Sequence, residues 1–298
     1  SPPTLPRNEK GTAIAYPPNP KKKLMLGAGA GLALGLIVAL GIEKLQNKLF
    51  STNDLELRGR LPVLAKIPEK LLNRLASLPP DLPLNLSPDL PSEKAENSVL
   101  QLPSTIIPLL SDLYLNLHFH HHHPPVRTML IVAVNDEPAQ SAIAVSLAQT
   151  FAIASQQLLL VDANITRPEI HEFFELSSES GLLNILDHPT QVLTTIQKSA
   201  TLPYVGILPL GSAENPAQEI RLSAHLPALK NIFMEHYNLV IINASTISNT
   251  IEFNLLCEQV DGILMIIRRR RLPLSEFKKV IQQIQQYDFP LLGFIEVS

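Results

Sequence analysis

Two continuous apolar runs on either side of a helix-spaced segment constrain this chain more than any other feature. Met129-Leu-Ile-Val-Ala-Val134 and the run Leu158-Leu-Leu-Val161 that ends in Asp162 show no polar alternation. Such runs suit strands buried on both faces of a parallel sheet. Between them, Ala142 to Ala154 sets Ile143, Val145, Leu147 and Phe151 at helical spacing among several alanines. Asn135-Asp-Glu-Pro-Ala-Gln-Ser141 forms a polar loop before that helix, and Ala163 to Pro168 leaves the second strand. Strand, loop, helix, then a strand ending in a carboxylate is the layout of a phosphate-binding α/β unit. The loop, however, contains neither glycine nor lysine.

The unit resembles the cytoplasmic ATPase domain of bacterial tyrosine kinases (BY-kinases), which are fused to or paired with polysaccharide co-polymerases, the chain-length determinants of capsule and exopolysaccharide export. That family reads roughly VTSxxPGEGKST in the loop and VLLIDADLRRPxxH at the second strand. This chain reads Ile131-Val-Ala-Val-Asn-Asp-Glu-Pro-Ala-Gln-Ser-Ala142 and Leu158-Leu-Leu-Val-Asp-Ala-Asn-Ile-Thr-Arg-Pro-Glu-Ile-His171. Further matches follow in order. They are Asp54, Leu55, Glu56, Pro62, Val63, Leu64, Ile67 and Pro68 before the domain, Gly181-Leu-Leu, Asn215-Pro, the run Tyr237 to Asn243, Asp261 to Arg268 and Pro290 to Ile295. The resemblance implies an α/β fold with a doubly wound, mainly parallel sheet of P-loop NTPase (deviant Walker) type, preceded by one transmembrane helix and a Pro-rich linker.

The flanking segments fit that order. Residues 1–23 are Pro-rich and polar, an extended segment that the resemblance puts in the periplasm. Residues 24–42 hold no charge and are bracketed by Lys21-Lys-Lys23 and Glu43-Lys44. At about 1.5 Å per residue they match a hydrocarbon core of about 30 Å. A signal peptide and a buried helix are the rival readings. Gly27, Gly31 and Gly35 form a small-residue stripe, suited to homo-oligomeric helix packing in lipid, although glycine is also common in membrane helices. The flanking positive charges are nearly balanced, so orientation rests on the resemblance, which implies a bacterial inner (plasma) membrane protein with its α/β domain in the cytoplasm. Residues 43–69 form a juxtamembrane segment, 70–104 a Pro-rich linker and 105–298 the BY-kinase-like domain.

A net charge of −3 over 298 residues argues against nucleic acid as a partner. The lone Cys257 excludes a disulfide framework and fits a core position. His118 and His120, His121, His122 and His123 cluster beside Pro124-Pro125. Dense imidazoles bind Zn²⁺, Ni²⁺ or Cu²⁺, but an exposed linker is the plainer reading, since no defined ligand set is evident. Arg268 to Arg271 form a basic run that suits a solvated loop, or an anionic lipid or acidic partner surface.

The site residues carry the function. A working P-loop wraps phosphates with backbone N–H groups, reaches them with a Lys and holds Mg²⁺ with a hydroxyl. By the alignment, Glu137 and Ala139 stand at the glycines, Gln140 at the Lys, and Ser141 and Ala142 at the hydroxyl pair. Glu137 brings a carboxylate to the phosphate position, where like charges about 4 Å apart repel by several kcal/mol. Asp162 is kept, as are Arg167 and Pro168. Asn164, Thr166 and Asn243 replace two carboxylates and an Arg. Asp162 as a turn cap and Ser141 as an ordinary first-turn hydroxyl stay open beside a vestigial nucleotide site. On the helix 105–119, the family's ring-assembly Glu and two Arg fall on Pro108, Ser111 and Tyr114, and the family's C-terminal tyrosine cluster has no counterpart in this sequence. The resemblance with these departures implies a catalytically degenerate scaffold or regulator in polysaccharide biosynthesis, with export or polymerase proteins as partners and no cofactor needed. The alternative is an active tyrosine autokinase using ATP and Mg²⁺ through Ser141 and Asp162.

Overall fold

The computed structural model describes residues 20–46, 62–71, 106–119, 125–135, 137–155, 157–186, 188–198, 202, 204–212, 218–247, 251–268 and 271–298. The elements are α1 (Pro20–Gln46), β1 (Val63–Ile67), α2 (Ile106–Phe119), β2 (Thr128–Ala133), α3 (Gln140–Ser155), β3 (Leu158–Ala163), α4 (Leu182–Ile185), α5 (Val192–Thr195), β4 (Gln197–Lys198), β5 (Val205–Leu208), α6 (Gln218–His236), β6 (Leu239–Ala244), α7 (Ile251–Glu258), β7 (Gly262–Arg268), α8 (Leu274–Gln286) and β8 (Leu291–Val297). Helix α1 falls in one compact unit and the remaining elements in another.

The strands form one sheet in the order β1-β8-β7-β2-β6-β3-β5-β4. Each pairing is parallel except β4 with β5. Every residue of β2, β3, β5 and β6 is buried, the outcome that unbroken apolar runs require. Because successive side chains point to opposite faces, β2 feeds two cores. Leu130, Val132 and Val134 join one, with Phe233 of α6, Cys257 of α7 and Phe277 of α8. Met129, Ile131 and Ala133 join the other, with Leu113 of α2 and Phe151 of α3. The sheet is therefore doubly wound, as expected. Cys257 is fully buried, and burial pushes its thiol pKa up.

The helices read as their faces require. In α8, Phe277, Val280, Ile281 and Ile284 are buried at i, i+3, i+4 and i+7, a stripe facing the core. Helix α3 is buried from Gln140 to Ala152. Its alanines let it lie close to the sheet, and Ser146 and Thr150 satisfy their hydroxyls by donating to carbonyls four residues back. Tyr114, at one of the ring-assembly positions, packs edge-on against Phe151 with ring centroids 5.0 Å apart. It ties α2 to α3.

One boundary moves. The juxtamembrane segment expected over 43–69 contributes β1, which pairs with β8 at the sheet edge. Backbone bonds from Ser298 to Ile67 and from Glu69 to Ser298 continue that seam. Helix α1 covers the uncharged stretch 24–42, with Met25, Leu32, Leu34, Leu36, Ile37, Val38 and Leu40 exposed. Its described side chains run unbroken only over residues 31–41, and among the described residues no helix is long and apolar enough to cross a membrane. Gly27, Gly31 and Gly35 lie on α1 with open space around them. His120 to His123 and the side chain of His118 lie outside the described residues, among which no His, Cys, Asp or Glu cluster suits a metal.

Gln149 of α3 is buried with neither side-chain amide atom hydrogen-bonded among the described residues. An unsatisfied buried polar group costs about 1–3 kcal/mol. Gln149→Leu is therefore expected to raise the unfolding free energy by about 1–3 kcal/mol, read as a higher urea midpoint at unchanged slope, and a lowered midpoint would show that the amide has a partner.

Candidate functional site

Strands β2, β3, β6 and β7 run parallel, so their C-terminal ends meet at one edge of the sheet, where α/β folds place ligands. The loop between β2 and α3 crosses that edge. Four of the expected site residues come together there in one buried network. Asn243, at the end of β6, donates from Nδ2 to Ser141 Oγ at 3.4 Å and to Asp162 Oδ1 at 3.3 Å. Its Oδ1 accepts from Gln140 Nε2 at 2.9 Å. Gln140 Nε2 also donates to the Ala244 carbonyl at 2.5 Å and lies 3.4 Å from that of Ile131. The residue at the lysine position thus spends its amide on the ends of β2 and β6.

Asp162 pins the turn that follows it. Its carboxylate accepts from the backbone N–H of Asn164 at 3.2 Å and of Ile170 at 3.1 Å, which is the capping role. Burial pushes its pKa up to about 7, against the lowering effect of those N–H groups and of Asn243. Asn164 Oδ1 accepts from Arg167 N at 3.0 Å and from Ser245 Oγ at 3.2 Å. The Arg167 guanidinium lies 3.4 Å from Glu169 on the partly exposed side of the turn. Ala142 sits in the first turn of α3, where its carbonyl accepts from Ser146.

Glu137 and Ala139 belong to a second cluster that sequence reasoning did not assemble. Glu137 is 6% exposed. Its carboxylate is held bidentately by Arg268, with Nε to Oε2 at 2.6 Å and Nη2 to Oε1 at 2.5 Å. Ala139 N–H also donates to Glu137 Oε1 at 3.3 Å. Arg268 Nη1 reaches Glu69, just beyond β1, and Arg271 lies 4.0 Å from the same carboxylate. This corrects two expectations. Arg268 faces inward onto carboxylates rather than a lipid or solvent surface. The Glu137 charge is neutralised by a guanidinium rather than left to repel a phosphate. The signal lay in the basic run itself, but its direction depends on β7 lying beside β2.

No family model matches the chain. EpsB of Ralstonia nicotianae, which bears the name of a tyrosine-protein kinase, is 23% identical over 292 residues, covering 96% of this chain and 37% of that protein. The tyrosine-protein kinase ptk of Acinetobacter johnsonii is 23% identical over 284 residues, covering 93% of this chain and 37% of that protein. The kinase domain of the Escherichia coli tyrosine kinase ETK superposes with a TM-score of 0.66 at 20% identity, covering 84% of this chain and 94% of that one. The chain is similar to the C-terminal part of these tyrosine-protein kinases and shares the fold of such a kinase domain. It spans little more than a third of the length of the two full-length relatives, at 37% of each.

Against the chemistry of the BY-kinase fold, these residues do not fit Mg-ATP. The Lys position carries an amide bonded inward. A loop N–H that would meet phosphate meets Glu137. Asn243 and Asn164 supply no charge for a metal, leaving Asp162 alone among the aligned carboxylates.

Two outcomes follow. Arg268→Gln leaves Glu137 buried without its cation, so the chain should lose about 3 kcal/mol of stability. Adding Glu137→Gln should restore part of it, and a double-mutant cycle by urea unfolding showing no coupling would refute the pairing. Asp162 binds its proton more tightly folded than unfolded. The stability this contributes is full below pH of about 3.8 and is lost as pH rises to about 7. Asp162→Asn should therefore flatten the pH dependence of unfolding between these limits, gaining on the wild type by a few kcal/mol at pH 8. An unchanged profile would place the titration elsewhere.

Proposed function

We propose that this chain is part of a membrane-anchored, catalytically degenerate BY-kinase-like protein that acts as a scaffold or regulator in capsular polysaccharide, exopolysaccharide or lipopolysaccharide biosynthesis and export, including chain-length control. One observation carries the reading: Gln140, at the position of the phosphate-binding lysine, spends its amide on Asn243 and the Ala244 carbonyl. Phosphoryl transfer depends almost wholly on positioning and electrostatic stabilisation. A loop without its cation, beside a strand end without its carboxylate, supplies neither. The chain then works without ATP or Mg²⁺. The buried sheet keeps its shape, and the surfaces of the domain serve export or polymerase proteins.

The membrane part of the proposal rests on the uncharged stretch 24–42 and on the exposed apolar side chains of α1. The anchor would lie in the bacterial inner membrane with the α/β domain in the cytoplasm, and the stripe Gly27, Gly31 and Gly35 would bring copies of the helix together.

A second reading, an active ATP-dependent tyrosine autokinase, draws on Ser141 and Asp162, which share Asn243 as a hydrogen-bond partner. They are a hydroxyl and a carboxylate of the kind that hold Mg²⁺. Titration with fluorescent ATP and ADP, with and without Mg²⁺, separates the two. The expected result is no binding up to millimolar nucleotide. Micromolar, Mg-dependent binding that disappears in Asp162→Ala would establish the kinase reading instead.

A further inference from the structure

We infer that Glu137 is a built-in anion occupying the phosphate position of the loop, and that Arg268 with the Ala139 N–H forms a site for phosphate-class anions which Glu137 keeps closed. The inference deepens the reading of the chain as a degenerate nucleotide-binding fold.

The coordination of Glu137 is that of a bound oxyanion. One oxygen accepts from a backbone N–H of the loop and from Arg268 Nη2, and the other accepts from Arg268 Nε. Backbone N–H groups and a forked guanidinium are the donors that recognise phosphate. The carboxylate is nearly excluded from solvent, and the Arg268 side chain is only 10% exposed. The pair is therefore a component of the fold rather than a surface contact screened by salt. The carboxylate also comes from the loop itself, two residues before the Ala139 N–H that it accepts. A tethered anion competes at a high effective concentration against any anion in solution.

Arg268 has a second carboxylate, Glu69, on Nη1. That contact holds the guanidinium in place when Glu137 is removed, with Nε and Nη2 turned to the loop. Glu69 follows β1, so the contact joins the loop to the edge strand of the sheet. The two clusters at this edge of the sheet then have separate roles. The amide network of Gln140, Asn243 and Asp162 replaces the lysine and metal side, and the Glu137–Arg268 pair replaces the phosphate.

The test is anion binding by the whole chain in mild detergent, measured by calorimetric titration with inorganic phosphate and with tripolyphosphate in the absence of Mg²⁺. The wild-type chain should show no saturable binding in the millimolar range. Glu137→Ala should bind tripolyphosphate at least about tenfold more tightly than the wild type. Adding Arg268→Gln to that variant should abolish the gain. Glu137→Gln preserves the side-chain shape without its charge, and is expected to show the same direction of change if the alanine variant does not fold. Equal binding by wild type and variant, a folded variant without binding, or a gain that survives loss of Arg268 would each overturn the inference. None of these outcomes bears on nucleotide turnover or polysaccharide length, so the inference and the proposed scaffold role fail separately.

Discussion

Burial of the sheet on both faces is the constraint from which the rest of this domain follows. Strands such as Met129 to Val134 have no polar side to offer water. They must be covered above and below, and α2 and α3 on one face and α6, α7 and α8 on the other do this. Parallel strands also need crossover connections, and those connections bring the C-terminal ends of β2, β3, β6 and β7 together. The site exists because the core forces it to exist, whatever residues stand there. The sheet edge is thus set by the packing of the core rather than by the particular residues that line it.

The replacements are mutually consistent. Removing a buried lysine or a carboxylate singly would leave its former partners unsatisfied, at a cost of several kcal/mol for an unpaired buried charge. Here the exchanges form sets. Gln140 and Asn243 are both amides, and they bond to each other, to Ser141 and to Asp162. Glu137 and Arg268 are opposite charges held in a fork. The site edge is therefore closed by its own side chains. At Asp162 burial outweighs the three donors around it, and its pKa is raised.

Much of this could be read from residue order. The unbroken apolar runs implied parallel strands buried on both faces, and the helical spacing of Ile143, Val145, Leu147 and Phe151 implied the helix between them. The resemblance brought Gln140, Ser141, Asp162 and Asn243 to one place, because loop and strand-end positions recur in a fixed order along such folds. Asp162 as a turn cap was legible too, since a carboxylate at a strand end commonly meets nearby N–H groups. By contrast, β1 lies beyond a long Pro-rich linker from α2, and nothing local in Val63 to Ile67 states that its partner is β8.

The sequence by itself determined the buried strands, the doubly wound character of the sheet and which residues stand in the loop and at the strand ends. Tertiary structure alone decided where the remaining charges go. Glu137, Arg268 and Glu69 are far apart in the chain, and Arg268 stands in a run of arginines that reads as a surface feature. Its direction was set when β7 docked beside β2 and β8 docked beside β7. That docking placed the guanidinium between a loop carboxylate and the residue after an edge strand. Side-chain periodicity reports which face is buried, because burial is a property of each strand. Charge pairing depends on which strands become neighbours, and that is a property of the assembled sheet.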